Sequence, residues 1–290
     1  MDTTEQVNKR KPRLIPIDME AIDFPWWALL IIIFMLIGAF LIAFLPRYQD
    51  AFLFLFAGVG MTIGITIASF SMALILGLIA GLGRVSKNVV FRTFASFYVE
   101  IVRGIPLLVL IIYFAFVATE ILVNIVNWIG VGMTSFLAIG PLLNIGEALS
   151  DLHIQDVPMW LRAVFGLAFG YGAYEAEVFR AGIESISKGQ MEAARSLGMT
   201  YGQAMRHIIL PQAIRRVLPP FGNDFISMLK DSSLVSVLAV RELTHLGKLN
   251  RARTFRTFET WNTVAFLYLI LTLSLSFVVK IIERRMAYEE

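Results

Sequence analysis

The sequence predicts an all-α integral membrane protein with six transmembrane helices and both termini in the cytosol. Of the 290 residues, 57% are hydrophobic and 16% are charged, whereas an average soluble domain has about 25% charged residues. The runs 26–45, 51–83 and 261–279 contain no Asp, Glu, Lys or Arg, and about 20 apolar residues are enough to cross a bilayer. Basic residues recur in the segments assigned to the cytosolic side, as the positive-inside rule predicts.

The composition excludes several classes of protein. The chain has no cysteine, so it forms no disulfide and no thiolate site. Its three histidines lie far apart, which makes a shared metal site unfavourable. The net charge of +3 comes without a basic stripe interleaved with aromatics, which argues against nucleic acid as a partner. Because the chain has no glycine-rich phosphate loop and no credible catalytic set, we expect a non-enzymatic chain that holds no cofactor of its own.

The N-terminal part reads as a tail followed by one extra helix. Residues 1–23 carry four basic residues and form a predicted cytosolic tail. Residues 24–50 form an additional first transmembrane helix, with its span at about 26–45 and a short outer turn at 46–50. The core, 51–285, begins with a second span at about 51–83. Its small and hydroxyl residues predict a face for close helix contact, and they are Gly58, Gly60, Thr62, Gly64, Thr66, Ser69 and Ser71.

The third span is predicted to lead outward to about Val117, with an early interruption at Gly104 and Pro106. Residues 120–157 contain four acidic residues and no Lys or Arg. They are therefore assigned to a periplasmic insertion, whose apolar middle at 131–143 is expected to be an interfacial or re-entrant helix.

The fourth span, about 158–180, delivers a cytosolic loop at 184–215. The fifth begins at Pro219-Pro220, continues to about Val240 and is broken near 230–233, and the sixth covers about 259–281. The connection 241–257 holds five basic residues although the alternation of spans places it outside. We keep this topology because four other basic segments agree with it, and an outer basic loop is suited to an acidic partner.

The loop 184–215 shows two helix starts. Ser187 with Gln190 and Thr200 with Gln203 each fit a capping box. Gly198 lies between the two helices, where a residue at positive φ ends a helix at little cost for glycine. Leu210-Pro211 is predicted to stop the second helix, because proline disfavours α geometry in the preceding residue. The result is a helix–turn–helix on the water side of the membrane.

This spacing resembles the EAA loop of ABC-importer permeases. The matching positions are Glu192, Ala193, Ala194, Gly198, Ile208, Leu210 and Pro211. The resemblance implies that the short helix through Leu197 docks into a cytosolic ABC ATPase dimer, in which ATP and Mg²⁺ are bound, and transmits its closing motion. The two alanines are expected to permit close approach. The alternative is a surface helical hairpin with no partner.

Several ionisable residues fall inside the predicted spans, where charges are costly and usually face a partner or a cavity. Glu100 with Arg103, and Glu177 with Arg180, have the i,i+3 spacing of ion pairs. They are read either as structural pairs or as part of a translocation path for a charged or zwitterionic solute. The candidates for that path are Glu100, Arg103, Tyr171, Tyr174, Glu175, Asp224, Ser227, Lys230 and Asp231.

Three segments, 100–106, 176–183 and 223–234, resemble signature segments of the polar amino-acid importer permeases of the histidine/glutamine/arginine type. The resemblance covers about 51–119 and 158–285. It implies a type I ABC-importer permease fold that moves a polar or charged amino acid across the bacterial inner membrane by alternating access. It also implies two further partners, a second permease, identical or homologous, and an extracytoplasmic solute-binding protein.

Alternatives within transport are an importer for another solute, such as methionine or an oxyanion, and an ATPase-independent channel or secondary carrier. The chain departs from the pattern of many members, which have five spans and a short connection after the third core helix. This chain adds the first helix and the insertion at 120–157, and the insertion bears on the contact with the binding protein and on the substrate.

Overall fold

The structure, a computed structural model, describes residues 26–136 and 140–287, and in this part the regular elements are all helices. The predicted tail at 1–23 lies outside the described residues. The α-helices are α1 Trp26–Phe44, α2 Pro46–Phe56, α3 Val59–Arg84, α4 Val89–Gly104, α5 Leu107–Tyr113, α6 Thr119–Phe136, α7 Gly140–Ser150, α8 Met159–Glu184, α9 Lys188–Ser196, α10 Tyr201–Ala204, α11 Leu210–Asp231, α12 Leu243–Thr254 and α13 Thr257–Ala287. Shorter helices are π-helical at Phe114–Ala118 and Met205–Ile209, and 3₁₀ at Ile154–Asp156 and Ser232–Leu238.

Four helical stretches of the described chain are long and apolar enough to cross a membrane: Trp26–Phe44, Pro46–Arg84, Leu107–Ser135 and Thr257–Arg284. Helix α8 spans 26 residues, which is about 39 Å. It is more polar than these stretches, and much of its surface is buried among other helices. The described chain is thus a helical membrane protein built around a polar central helix.

Glycines let α3, α8 and α11 approach closely. A methyl group added at Gly77 of α3 would lie 2.5 Å from Cβ of Glu175 and 3.0 Å from its carbonyl carbon. Gly182 on α8 lies against the side chain of Val217 on α11 in the same way. Because a side chain at either position would push the helices apart, these glycines set the geometry of the central contact.

The start of the core differs from the prediction. Residues 46–50 do not form an outer turn but the first turn of α2, with Pro46 at its first position, where a missing N–H costs nothing. The chain bends instead at Ala57-Gly58, and a Cβ at Gly58 would lie 2.9 Å from the amide nitrogen of Leu243. The predicted contact face of the second span is also divided between two sides of α3.

Three hydroxyl residues of that face are buried inside the chain: Thr62, Thr66 and Ser69. Gly60 and Gly64 instead point to open space, with no atom within 4 Å of an added Cβ. The predicted contact face therefore combined residues from two sides of α3, one buried and one exposed.

The third span is interrupted as predicted, because α4 ends at Gly104 and α5 begins at Leu107. The helix itself does not end at Val117, since α5, the π-helical segment and α6 continue to Phe136. The Thr119 hydroxyl donates to the Phe114 carbonyl at 2.6 Å and so satisfies a carbonyl of the widened turn. Helix α7 returns antiparallel to α6, and Gly130 packs against Gly146. Residues 137–139 of the predicted re-entrant helix lie outside the described residues.

The prediction that Leu210-Pro211 stops a helix was also wrong. Helical structure runs from Tyr201 to Asp231, and the Leu210 amide donates to the Met205 carbonyl in the π-helical segment just before Pro211. This wider turn lies where a proline ring would otherwise clash with the preceding turn.

Helix α11 therefore does not begin at Pro219-Pro220, which lie inside it. The predicted break near 230–233 is confirmed, because α11 passes into the 3₁₀ helix at Ser232. That 3₁₀ helix ends at Leu238, and the capping residue Ala239 has a positive φ of 57°.

Candidate functional site

The hairpin of α9 and α10, which the sequence predicts to be cytosolic, turns at Gly198, whose φ is +85°. The Thr200–Gln203 capping box is present, with the Gln203 amide donating to the Thr200 hydroxyl at 3.3 Å and the Thr200 amide donating to the Gln203 side chain at 2.8 Å. The predicted box of Ser187 with Gln190 was wrong. Ser187 does cap α9, but its hydroxyl accepts from the Gly189 amide at 3.3 Å.

One face of helix α9 packs against the rest of the described chain, and the other, which we call the free face, is exposed. Ala194 is buried, and Met191 packs against the cluster of Ile183, Ile186 and Ile209. Glu192 and Ala193 are exposed, and the Leu197 side chain is 84% exposed. The exposed face of α9 thus carries a carboxylate, a methyl group and an apolar side chain, and of the two alanines of this helix only Ala194 is buried in the described chain.

The remaining residues of the motif lie at the base of the hairpin. Leu210 is half-buried and packs against the same cluster as Met191, whereas Pro211 is exposed in the first turn of α11. Because α11 is continuous with the hairpin, movement of α9 has a helical route to the centre of the molecule.

An ion network joins the C-terminal parts of α3, α4 and α8. Oε1 of Glu177 lies 3.0 Å from Nη1 of Arg84 and 3.3 Å from Nη1 of Arg103. Its Oε2 accepts a 2.6 Å hydrogen bond from Nε of Arg180, which confirms the predicted i,i+3 pair. Arg180 also lies 2.5 Å from Glu184. One carboxylate thus gathers three guanidinium groups.

The predicted pair of Glu100 with Arg103 was wrong. Glu100 lies 3.4 Å from Nη2 of Arg84, and Arg103 reaches Glu177 and lies over the Tyr174 ring at 5.5 Å from its centroid. Tyr174 therefore belongs to the ion network. Arg84 was not among the predicted candidates, and its position at the end of the uncharged run 51–83 was the signal that could have marked it.

A second polar group lies between α8 and α11. The Tyr171 hydroxyl donates to Oδ2 of Asp231 at 2.7 Å. Glu175, one turn further along α8, is fully buried, and neither of its carboxylate oxygens has a hydrogen-bond partner among the described residues. Asp224 of α11 is half-buried and close enough to interact electrostatically with Tyr171 and Glu175. The structure thus brings four candidates together, which we call the carboxylate cluster: Tyr171, Glu175, Asp224 and Asp231.

Two further path candidates lie on α11. Ser227 is half-buried and Lys230 is exposed. A buried carboxylate without a partner is costly, so the carboxylate cluster is a site that a cationic or ammonium group would stabilise.

Arg162, near the start of α8, is a buried residue that the sequence analysis missed. Its guanidinium donates to the carbonyls of Val157 at 2.8 Å, Ala115 at 3.1 Å and Ile154. It thereby fastens the end of the insertion to the π-helical segment of the third span. A single arginine in an apolar run carries no motif, and only the fold reveals its three acceptors.

A solved structure of an amino acid ABC transporter with histidines shares this fold, with a TM-score of 0.63 and 33% identity over 82% of this chain and 95% of that chain. The MetNI methionine ABC transporter also shares the fold, with a TM-score of 0.57 at 20% identity. The architecture is therefore that of an ABC-transporter permease.

The chain belongs to the family of binding-protein-dependent transport system inner membrane components, whose sequence profile matches residues 73–288. The glutamine transport system permease protein GlnP of Escherichia coli (strain K12) is 34% identical over 80% of this chain and 92% of its own length. The probable glutamine ABC transporter permease protein GlnM of Bacillus subtilis (strain 168) is 34% identical over 76% of this chain and 88% of its own length. The arginine transport system permease protein ArgU of Corynebacterium glutamicum is 40% identical over 60% of this chain and 49% of its own length.

Proposed function

We propose that this chain is the permease subunit of an ATP-driven importer for a polar or charged amino acid in a bacterial inner membrane. The free face of α9, at Glu192, Ala193 and Leu197, is the observation that carries the proposal. An exposed apolar side chain at the end of a capped helix is suited to contact with a protein partner. The amino-acid transporter names of the relatives favour the same substrate class.

In this proposal the chain has six spans and both termini in the cytosol. Residues 24–50 are an additional first helix, 51–285 are the permease core, 120–157 are a periplasmic helical hairpin, and 184–215 are the cytosolic coupling loop. A second permease, identical or homologous, completes the path through the bilayer. A solute-binding protein delivers the amino acid from outside.

ATP and Mg²⁺ bind in a separate ATPase dimer, so no covalent step takes place in this chain. Closure of the ATPases carries α9 with them, with Leu197 in an apolar pocket and Glu192 beside a basic residue of the partner. Because α9 is followed by the capped turn and then by one helical run to Asp231, the displacement reaches the carboxylate cluster. The energy of ATP binding is thereby converted into a change of access.

The carboxylate cluster is the proposed contact for the substrate's amino group. Glu175 is fully buried and unpaired among the described residues, and a buried charge of this kind is stabilised by an opposite charge within a few Å. The ion network around Glu177 lies nearer the cytosolic hairpin and is proposed to hold the helices in register. Ser227 and Lys230 remain candidates for contacts with the substrate carboxylate.

The coupling role is tested with Glu192→Lys and Gly198→Asp in the purified complex. We expect both variants to lose ATPase assembly or coupled ATP hydrolysis while the chain itself folds normally. The control is Lys188→Glu, which reverses a charge on the same helix outside the motif and is expected to leave coupling intact. A complex that assembles and couples with both Glu192→Lys and Gly198→Asp would contradict the proposal.

The substrate role is tested separately by uptake into vesicles. Glu175→Gln keeps the size of the side chain and removes its charge, and we expect it to raise the half-saturating amino-acid concentration. Neutralising Asp224 and Asp231 together is expected to do the same. Unchanged half-saturation in both variants would remove the carboxylate cluster from the path without affecting the coupling role.

A further inference from the structure

The end of the molecule opposite the α9–α10 hairpin, which we call the coupling hairpin, is formed by three helices. We define the outer tip as residues 46–54 of α2, the segment 241–257 that contains α12, and the first turn of α13. Arg256 pairs with Asp50 at 3.2 Å, and Arg47 lies 3.8 Å from Glu259. The guanidinium of Arg253 lies over the ring of Phe54, 4.4 Å from its centroid. These contacts join all three helices.

The outer tip lies at the far end of α3 from the coupling hairpin. The Leu243 amide at the start of α12 donates to Thr62 near the beginning of α3 at 3.1 Å, whereas Leu82 near its end packs beside the hairpin. Helix α3 alone has 26 residues, or about 39 Å, against a hydrocarbon core of about 30 Å. The tip therefore has the length to stand clear of the lipid tails.

The free charge of this surface is positive. Segment 241–257 has five basic residues and one acidic residue, Glu242. Glu242 is fully buried and accepts the amides of Thr244 at 2.8 Å and His245 at 2.6 Å, so it presents no charge to solvent. Arg241 and Arg251 are exposed, and within 26–136 and 140–287 neither side chain has an ion-pair partner.

An exposed aromatic ring stands at the end of the tip. Phe255 is 87% exposed and has a φ of 56°, a left-handed conformation that non-glycine residues rarely adopt. Its amide donates to the Arg251 carbonyl at 2.9 Å, and the Thr254 hydroxyl accepts the Arg256 amide at 3.3 Å. An aromatic side chain fixed among arginines has the composition of a protein interface.

We infer that the outer tip docks an acidic face of the extracytoplasmic solute-binding protein, with Phe255 as the apolar anchor and Arg241 and Arg251 as the steering charges. The inference rests on the proposed function, which places the tip outside the cell membrane. Outer basic residues oppose the positive-inside rule, and a complementary acidic partner accounts for them. A protein fits better than lipid, because the tip lies at the ends of helices longer than the hydrocarbon core.

The test uses the complete complex in nanodiscs and the amino-acid-binding protein of the same organism that supports uptake. Arg251→Glu and the double variant Arg241→Glu/Arg251→Glu are compared with Arg251→Lys, which keeps the charge. We expect the reversals to raise the binding-protein concentration for half-maximal ATPase stimulation by about tenfold at low salt, since like charges across an interface repel. The difference should shrink in about 0.5 M salt, and ATPase activity without the binding protein should be unchanged.

A second measurement replaces Phe255 by the photo-crosslinker p-benzoylphenylalanine. The expected product is a covalent adduct with the binding protein that Arg251→Glu reduces and Arg251→Lys preserves. An adduct with lipid alone, or equal stimulation of the Glu and Lys variants, would overturn the docking surface while leaving the importer intact. A wild-type complex that no binding protein stimulates would overturn both the importer and its docking surface.

Discussion

Tyr171 and Asp231 connect the two central helices through a 2.7 Å hydrogen bond from the Tyr171 hydroxyl to Oδ2 of Asp231. Asp231 is the last residue of α11 before the chain tightens into a 3₁₀ helix. A change in the partner of this carboxylate therefore acts directly on a helix break. In an importer, a substrate amino group that competed for Asp231 would be sensed at the point where α11 bends.

The first prediction concerns that bond. Tyr171→Phe removes the donor and keeps the ring, and we expect the half-saturating amino-acid concentration for uptake to rise about threefold to tenfold, as the loss of one hydrogen bond implies. Uptake into vesicles of the reconstituted complex is the measurement. Tyr113→Phe, an exposed tyrosine on α5, is the control. Equal half-saturation in the two variants would exclude a role for the bond in binding.

The second prediction concerns the ion network. Glu177→Gln leaves Arg84, Arg103 and Arg180 close together without their shared carboxylate. Because hydrogen bonds to charged groups contribute about 1.5–3 kcal/mol, we expect a clear fall in the thermal midpoint of the purified chain in detergent. Glu184→Gln removes a more exposed pair with Arg180 and should cost about 0.5 kcal/mol or less. If the two midpoints fell equally, the network would not hold the helices together.

The third prediction concerns the crossing of α3 and α8. Gly77→Ala would place a methyl group 3.0 Å from the Glu175 carbonyl carbon, and overpacking of this kind costs about 1–3 kcal/mol. We expect a lower thermal midpoint. Gly60→Ala on the same helix meets no atom within 4 Å and should be neutral or stabilising, since alanine favours helix by about 1 kcal/mol. A neutral Gly77→Ala would show that the crossing relaxes freely.

The fourth prediction concerns the turn at Gly198 in the α9–α10 hairpin. Nothing lies within 4 Å of an added Cβ at Gly198, so Gly198→Ala acts through its positive φ alone and costs about 1–2 kcal/mol. We expect faster amide hydrogen exchange in α9 and weaker ATPase coupling. Gly202→Ala, also in open space but with ordinary helical geometry, should leave both unchanged. Matching exchange rates in the two variants would show that the turn does not depend on glycine.

Local rules predicted the features that depend on neighbouring residues. The positive φ of Gly198, the Thr200–Gln203 box and the break after Asp231 each follow from side chains within a few positions of one another. Composition and spacing were sufficient for the all-helical membrane class. The motif residues on α9 could be named, but which alanine is buried followed only from the packing of Ala194 against the rest of the chain.

Choices among distant partners could not be predicted in this way. Glu100 had a cation three residues away, yet it pairs with Arg84 of a different helix. The predicted helix end at Leu210-Pro211 was wrong for a related reason, because a π-helical turn just before the proline accommodates its ring. Spacing along a chain defines what is possible on one helix, and the packing of several helices selects among the possibilities.

One uptake experiment tests whether movement of α9 by a separate ATPase drives transport. Vesicles containing this chain alone are compared with vesicles containing the full complex, with ATP inside or outside and a radiolabelled amino acid supplied with its binding protein. We expect uptake only in the full complex with ATP on the side of α9, and its loss in Glu192→Lys. Amino-acid uptake by this chain alone, without ATP, would contradict the proposed role of α9.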